Sequence, residues 1–245
     1  MKELFNKNLF SLFKGEVHRS VKYKILPVGV IFSFLWLVLI FFLKDDSEAV
    51  ITIVPLLIYM DTTIMSIMLV GASLFFEKSE GSVVTLFVTP TSTMQILISK
   101  IISAGITGVV SGIIVGVGAL LITDVELMLL PLLLAVFVIT MAHSAIGLTL
   151  AILAKDFPNL LVKMMIYMLI FAILPILAID GLLPKVFDYI LIISPSHCAS
   201  ILLQAAFTNT DWYMVLISII WIIFVPTWLI IKFVAPRFQE HMMRG

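Results

Sequence analysis

Long uncharged apolar runs constrain this chain more than any other feature. Of its 245 residues, 62% are hydrophobic and 12% are charged. About 20 apolar residues cross the hydrocarbon core of a bilayer, and the runs are apolar on every face, unlike the alternating strands of a β-barrel. We therefore expect an all-α integral membrane protein of one domain, 1–245. The six predicted transmembrane helices are at about 25–43, 50–76, 101–122, 127–154, 160–179 and 214–231.

Basic residues predict the orientation of these spans. If the N-terminus is cytoplasmic, only Lys44 and Lys185 of the 15 lysines and arginines fall outside. This bias follows the positive-inside rule, so both termini are expected in the cytoplasm. The formal net charge of zero predicts no nucleic-acid partner. The expected location is the cell (plasma) membrane, with the lipid bilayer as surroundings.

Residues 1–24 combine apolar positions at near-helical spacing with several lysines. The pattern predicts an amphipathic helix lying on the inner leaflet. The alternative is a basic tail that only fixes the topology. The apolar positions are Leu4, Phe5, Leu9, Leu12, Phe13, Val17 and Val21.

The segment EKSEGSVVTLFVTP, residues 77–90, is a polar interruption between spans two and three. Ser79 is expected to cap a short helix that Thr89-Pro90 ends. A short helix with an apolar middle suits docking into a groove on a soluble partner. Function is therefore expected at this cytoplasmic segment.

The external segment of residues 180–212 is too apolar for a plain loop. Its pattern predicts two short re-entrant helices, separated by a turn at Ser194-Pro195-Ser196. Backbone of this kind survives at membrane depth only where protein or a cavity shelters it. The alternative is a packed extracellular hairpin with no gating role.

Two ionisable groups lie deep in predicted spans. Asp61 falls near the middle of span two, where a charge costs roughly 3 kcal/mol on insertion scales. With Thr62 and Ser66 it either lines a pathway for cationic or zwitterionic cargo or accepts hydrogen bonds from neighbouring helices. His143 is expected to hydrogen-bond between helices, or else to relay protons. The histidines and Cys198 lack metal-ligand spacing, so no metal site is expected.

The chain resembles permeases of type-2 ABC exporters over essentially its whole length. The resemblance rests on EKSEGS at residues 77–82 with Leu86, Thr89-Pro90 and QILISK at 95–100, and on LPKVFDYILIISPSH at 183–197. Within that class, MDTTIM at 60–65 and FFEKSEGS at 75–82 resemble bacterial permeases for fluoroquinolone-type drug export.

The resemblance implies a coupling helix seated on an ATP-hydrolysing subunit, and two permease copies or related chains around a shared pathway. No G-x-x-x-x-G-K-[ST] motif is present, so ATP and Mg²⁺ are expected on a separate ATPase chain, and this chain is expected to be no enzyme. A second contact at Asp156, Phe157 and Pro158 is equally consistent with a bare turn. The expected coupling-helix contacts are Glu77, Lys78, Glu80, Gly81, Ser82, Val83, Leu86 and Phe87.

The leading hypothesis is thus an export permease for an amphipathic drug, peptide or lipid-like cargo. One alternative is an ion-coupled secondary transporter that uses Asp61 and His143. Another is a membrane scaffold or immunity protein that transports nothing.

Overall fold

A computed structural model describes residues 2–82, 89, 91–124, 126–173, 177, 184, 190–208 and 210–243, mostly as helices. Helix α3 has three consecutive parts, Ser47–Met60, Asp61–Met65 and Ser66–Ser79. The other helices, in chain order, are α1 Lys2–Lys22, α2 Ile25–Leu43, α4 Thr93–Ile122, α5 Leu129–Leu153, α6 Phe157–Ala172, α7 Pro195–Gln204 and α8 Trp212–Met243.

Five of these helices are long and apolar enough to cross a membrane: α2, α3 from Ala49, α4, α5 and α8. The shorter helix α6, Phe157–Ala172, covers the first part of the predicted span 160–179. Most of the residues between 174 and 179 lie outside the described part of the chain. The six-span count therefore stays a prediction.

Side-chain caps set the beginnings of three helices. Asp46 accepts a hydrogen bond from the Ala49 amide at 3.0 Å, and Asp156 accepts one from the Asn159 amide at 2.8 Å. Ser92 and Gln95 form a reciprocal capping box at α4. Helix α4 therefore begins at Thr93, before the predicted residue 101, because the capping box starts the helix ahead of Lys100, after which the uncharged apolar run begins.

Among the described residues, three π turns widen helices, at Asp61–Met65 in α3, Met168–Ala172 in α6 and Ile230–Val234 in α8. A π turn closes i→i+5 hydrogen bonds and inserts one extra residue into the helical ladder, often at functional positions. The first of them contains Asp61, so this carboxylate stands where the helical register of α3 changes.

Helices α4 and α5 pack closely along a glycine face. A Cβ on Gly108 would lie 2.2 Å from Thr140 Oγ1, and one on Gly112 would lie 3.1 Å from Val136 Cγ1. These glycines permit the close approach of the two helices, because a larger side chain at either position would overlap α5.

The described buried side chains form two apolar clusters. One joins α3, α4, α5 and α8 at the end of the bundle where α1 lies, and includes Leu12, Leu97 and Phe238. The other surrounds helix α7 at the opposite end. We name the first end the predicted cytoplasmic end.

Helix α7 is buried along most of its length, including Cys198 and Ala199. Trp221 donates its indole N–H to the Ile193 carbonyl at 2.6 Å, which ties α8 to the residues before α7. The second predicted external helix thus exists as Pro195–Gln204. The residues of the first, 182–191, lie mostly outside the described part of the chain.

The N-terminal helix predicted over 1–24 extends over Lys2–Lys22. Leu12 and Glu16 are buried one turn apart, whereas Phe10 is 69% exposed. Lys24, with φ 63°, turns the chain into α2. The exposed face leaves the predicted place of this helix on the inner leaflet as an expectation.

Candidate functional site

The turn after α3 is where the sequence predicts contact with an ATPase. Helix α3 ends at Ser79, and Gly81 has φ +65°, a conformation that glycine adopts at little steric cost. The Ser79 hydroxyl donates to the Phe76 carbonyl at 2.8 Å. Ser79 therefore closes the last turn of α3, and this hydrogen bond is not the predicted cap of a following helix.

Part of the predicted coupling helix stands at the surface of this turn. Glu80 is exposed, while Lys78, Gly81 and Ser82 are partly exposed. Glu77 differs because its side chain is only 1% exposed. The remaining predicted contacts, Val83, Leu86 and Phe87, lie outside the described residues.

Glu77 belongs to a cluster of four charged side chains, named here the ion cluster, in which Glu16, Glu77 and Lys100 are buried and Arg19 is partly exposed. Lys100 Nζ donates to Glu77 Oε1 at 2.6 Å and to Glu16 Oε2 at 3.1 Å. Arg19 bonds to Glu16, and its Nε lies 3.8 Å from Glu77 Oε1. The two carboxylates and two cations balance, as buried charges require.

The ion cluster joins three elements at the predicted cytoplasmic end. Glu16 and Arg19 come from α1, Glu77 from the end of α3, and Lys100 from the second turn of α4. The helices on both sides of residues 80–92, named here the coupling segment, are therefore held to each other and to α1. The sequence offered only weak signals of this cluster: a lysine before an apolar run, and an acidic residue one turn after Leu12.

A second, exposed contact joins the turn itself to α1. Lys22 Nζ and the Tyr23 hydroxyl donate to Glu80 Oε2 at 2.7 and 2.8 Å. The hydrogen bond from Lys22 is the main cause that lowers the pKa of Glu80 from its usual value. Glu80 is thus held ionised at the surface, beside α1.

The predicted second contact lies next to the end of α3. The Phe157 ring meets the Phe75 ring edge to face at 6.2 Å, and Phe157 is 39% exposed. Asp156 and Pro158 are also exposed, in the first turn of α6. The hydrogen bond by which Asp156 caps α6 explains the position of this side chain without any partner chain. Its predicted contact with an ATPase therefore stays a prediction.

Asp61 is buried between helices of this chain. Its Oδ2 forms a hydrogen bond with Ser111 Oγ, and Ser111 Oγ lies 2.6 Å from Ser33 Oγ. The carboxylate therefore connects α3 to α4 and, through Ser111, to α2. Of the other predicted pathway residues, Thr62 donates to the Ile58 carbonyl of its own helix at 2.7 Å.

A narrow cavity of about 60 Å³ extends from Asp61 to the ion cluster. It is lined by Asp61 and Ser66 but not by Thr62. Pockets for drug-sized ligands measure about 300–1,000 Å³, so this cavity suits a few water molecules instead. Its other polar lining residues are Glu16, Ser20, Ser73, Lys100, Ser103, Thr107, Ser111 and Thr140.

His143 belongs to a separate buried cluster near α7. Its Nδ1 lies 2.9 Å from the Ile139 carbonyl and its Nε2 lies 3.2 Å from Ser196 Oγ. The Tyr167 hydroxyl is 2.8 Å from the same Ser196 oxygen. These contacts join α5, α6 and α7, as the predicted interhelical role requires, and His143 does not line the Asp61 cavity.

Several long apolar helices, with charged and hydrogen-bonding groups at one end and inside the bundle, define a multi-pass membrane protein. The family model for the ABC-2 type transporter matches residues 8–208. The chain therefore belongs to the ABC-2 type transporter family, as the permease subunit of an ABC transporter. A search of curated proteins gave no match.

Proposed function

We propose that this permease exports an amphipathic cargo, using a separate ATPase chain that docks at the turn after α3. ABC-2 permease domains generally work with an ATPase partner. The ion cluster is the observation that carries the proposal, because it holds both ends of the coupling segment and α1 together. A displacement of the turn should therefore move α1, the end of α3 and the beginning of α4 together.

Burial makes the ion cluster a stiff connection. The Lys100 side chain is 3% exposed and that of Glu77 is 1% exposed, so water screens their attraction little. Separating them would leave unpaired charges in a poorly hydrated site. The ends of α3 and α4 should therefore move together when the ATPase binds ATP, carrying α1 with them.

The cargo pathway is proposed to lie between two permease copies. The Asp61 cavity, at about 60 Å³, is too small for a drug or peptide. A pathway of sufficient width can form where the apolar faces of two copies meet. The fluoroquinolone-type cargo suggested by MDTTIM and FFEKSEGS is part of this proposal.

Co-purification from native membranes tests the ATPase contact. The intact chain should bring down an ATPase chain, and a chain with scrambled residues 79–87 should not. The control exchanges the exposed residues Lys44 and Asp45 with each other, at the opposite end of the bundle. A well-folded intact chain without any ATPase would overturn the proposal.

Exchanging two charges distinguishes a partner contact from an internal one. We expect Glu80→Lys to uncouple ATP hydrolysis from export, because it places a cation on the docking turn. In Lys22→Glu/Glu80→Lys the internal pair is restored in reverse. If coupling stays lost in the double variant, Glu80 acts on the ATPase, whereas full recovery shows that it acts only through α1. ATPase activity and export in proteoliposomes measure both.

A further inference from the structure

Three polar contacts run in line from the Asp61 side chain. Asp61 Oδ2 is bonded to Ser111 Oγ, Ser111 Oγ lies 2.6 Å from Ser33 Oγ, and Ser33 Oγ lies 3.0 Å from the Gly29 carbonyl oxygen. Asp61 and the two serines are all buried, with Ser33 at 0% exposure. The line crosses from α3 through α4 to α2.

The number of protons decides the charge of Asp61 in this line. Each contact needs one proton between its two oxygens. A carbonyl oxygen can only accept, so the Ser33 proton goes to Gly29. The Ser111 proton must then go to Ser33. The proton between Ser111 and Asp61 has to come from the Asp61 carboxyl group.

An ionised Asp61 would leave this line incomplete. Two hydroxyl protons would serve three contacts, and two oxygens would face each other with lone pairs alone. An ionised carboxylate also has about four acceptor sites, and Ser111 is the side-chain donor that the described residues offer it. Near the middle of a span such a charge costs roughly 3 kcal/mol, whereas the protonated acid satisfies every contact.

No described basic side chain forms an ion pair with Asp61. On α4 and α1, Lys100 and Glu16 line the far end of the cavity and bind each other. Helix α2 has no titratable residue. On the remaining neighbours, His143 of α5 and Tyr167 of α6 contact Ser196, and Tyr59 of α3 donates to the Ala172 carbonyl.

The cavity offers a route for the proton. It runs from Asp61 to Lys100 and Glu16 at the predicted cytoplasmic end. Ser103 Oγ and Thr140 Oγ1 line it and are buried with no hydrogen-bond partner. Buried hydroxyls of this kind are ordinarily satisfied by water, and a cavity of about 60 Å³ with these groups in its lining accommodates a few molecules.

We propose that Asp61 is a proton-binding site, protonated in this conformation and connected to the predicted cytoplasmic end through the cavity. The proton holds α2, α3 and α4 together at the first π turn. Its release breaks the line at Ser111, so a conformation that separates these helices binds the proton less tightly. The site lies within one protomer, apart from the proposed cargo pathway.

Infrared spectroscopy of the full chain in lipid nanodiscs at neutral pH tests the proposal without an ATPase or a cargo. The wild-type chain should show the carbonyl-stretch band of a protonated carboxylic acid. A heavy-carbon label on aspartate side-chain carboxyls should shift that band to lower frequency. Asp61→Asn should abolish it, while Asp124→Asn, an exposed control, should keep it.

Asp61→Asn is expected to fold, because its amide N–H can donate to Ser111 in place of the acid proton. Ser111→Ala removes the acceptor and should move the band to higher frequency without abolishing it. A missing wild-type band overturns the proposal, and so does a band that the aspartate label does not shift. A band that survives Asp61→Asn, or a band that does not move in Ser111→Ala, also overturns it. If the band is missing and sodium raises the melting temperature in an Asp61-dependent way, the site binds a metal cation instead.

Discussion

Lys100→Met should lower the free energy of unfolding by about 3–5 kcal/mol, the usual cost of removing one partner from a buried ion pair. Glu16 and Glu77 would then share the single cation of Arg19 in a site that water barely reaches. Export should be lost together with stability, because the end of α3 and the beginning of α4 would no longer be held to each other. Thermal unfolding of the purified chain in nanodiscs measures the effect.

Two further variants make this result specific. Lys100→Met/Glu77→Gln removes one charge of each sign and should recover much of the lost stability. Lys155→Met changes an exposed lysine at the same predicted end and should leave the melting temperature nearly unchanged. Equal melting temperatures for Lys100→Met and Lys155→Met would show that the ion cluster does not stabilise the fold.

Gly147→Ala should destabilise the fold by about 1–3 kcal/mol through overpacking. Its Cβ would lie 2.7 Å from the Ile67 carbonyl oxygen and 3.0 Å from Ile67 Cα. Both are backbone atoms of α3, so no side-chain rotation relieves the overlap. The helices α3 and α5 would have to separate just beyond the first π turn.

Gly29→Ala is the matched control, because a Cβ there meets no atom within 4 Å. Alanine favours a helix over glycine by about 1 kcal/mol, so this variant should melt at the same temperature or slightly higher. Melting of both variants at the same temperature would contradict the close approach of α3 and α5.

The sequence predicted the spanning helices better than their polar ends. Long apolar runs identify a span wherever it lies, since the bilayer sets its length. The start of α4 at Thr93 depends on a capping box, a local pattern placed before the apolar residues. Helix beginnings of this kind are visible in a sequence only when the cap is sought separately.

Only part of the candidate site could be predicted, because contacts between side chains depend on how distant segments of the chain pack together. Glu77 stands in a polar stretch and was expected at a partner surface, yet Lys100 and Glu16 enclose it. Thr62 adjoins Asp61 in sequence but bonds its own helix instead of lining the cavity. Single-sequence periodicity does not indicate where a π turn changes the face on which a residue lies.

The π turn at Asp61–Met65 gives α3 one place where its length can change without changing its register. Because this turn holds one extra residue, deleting one of its residues would restore an ordinary α-helix and leave the rest of α3 facing as it does. Deleting one residue between the turn and Glu77 would instead rotate Glu77 by about 100°, the angle between successive residues, away from Lys100. Single-residue deletions are therefore expected to be tolerated better within the turn than between the turn and Glu77.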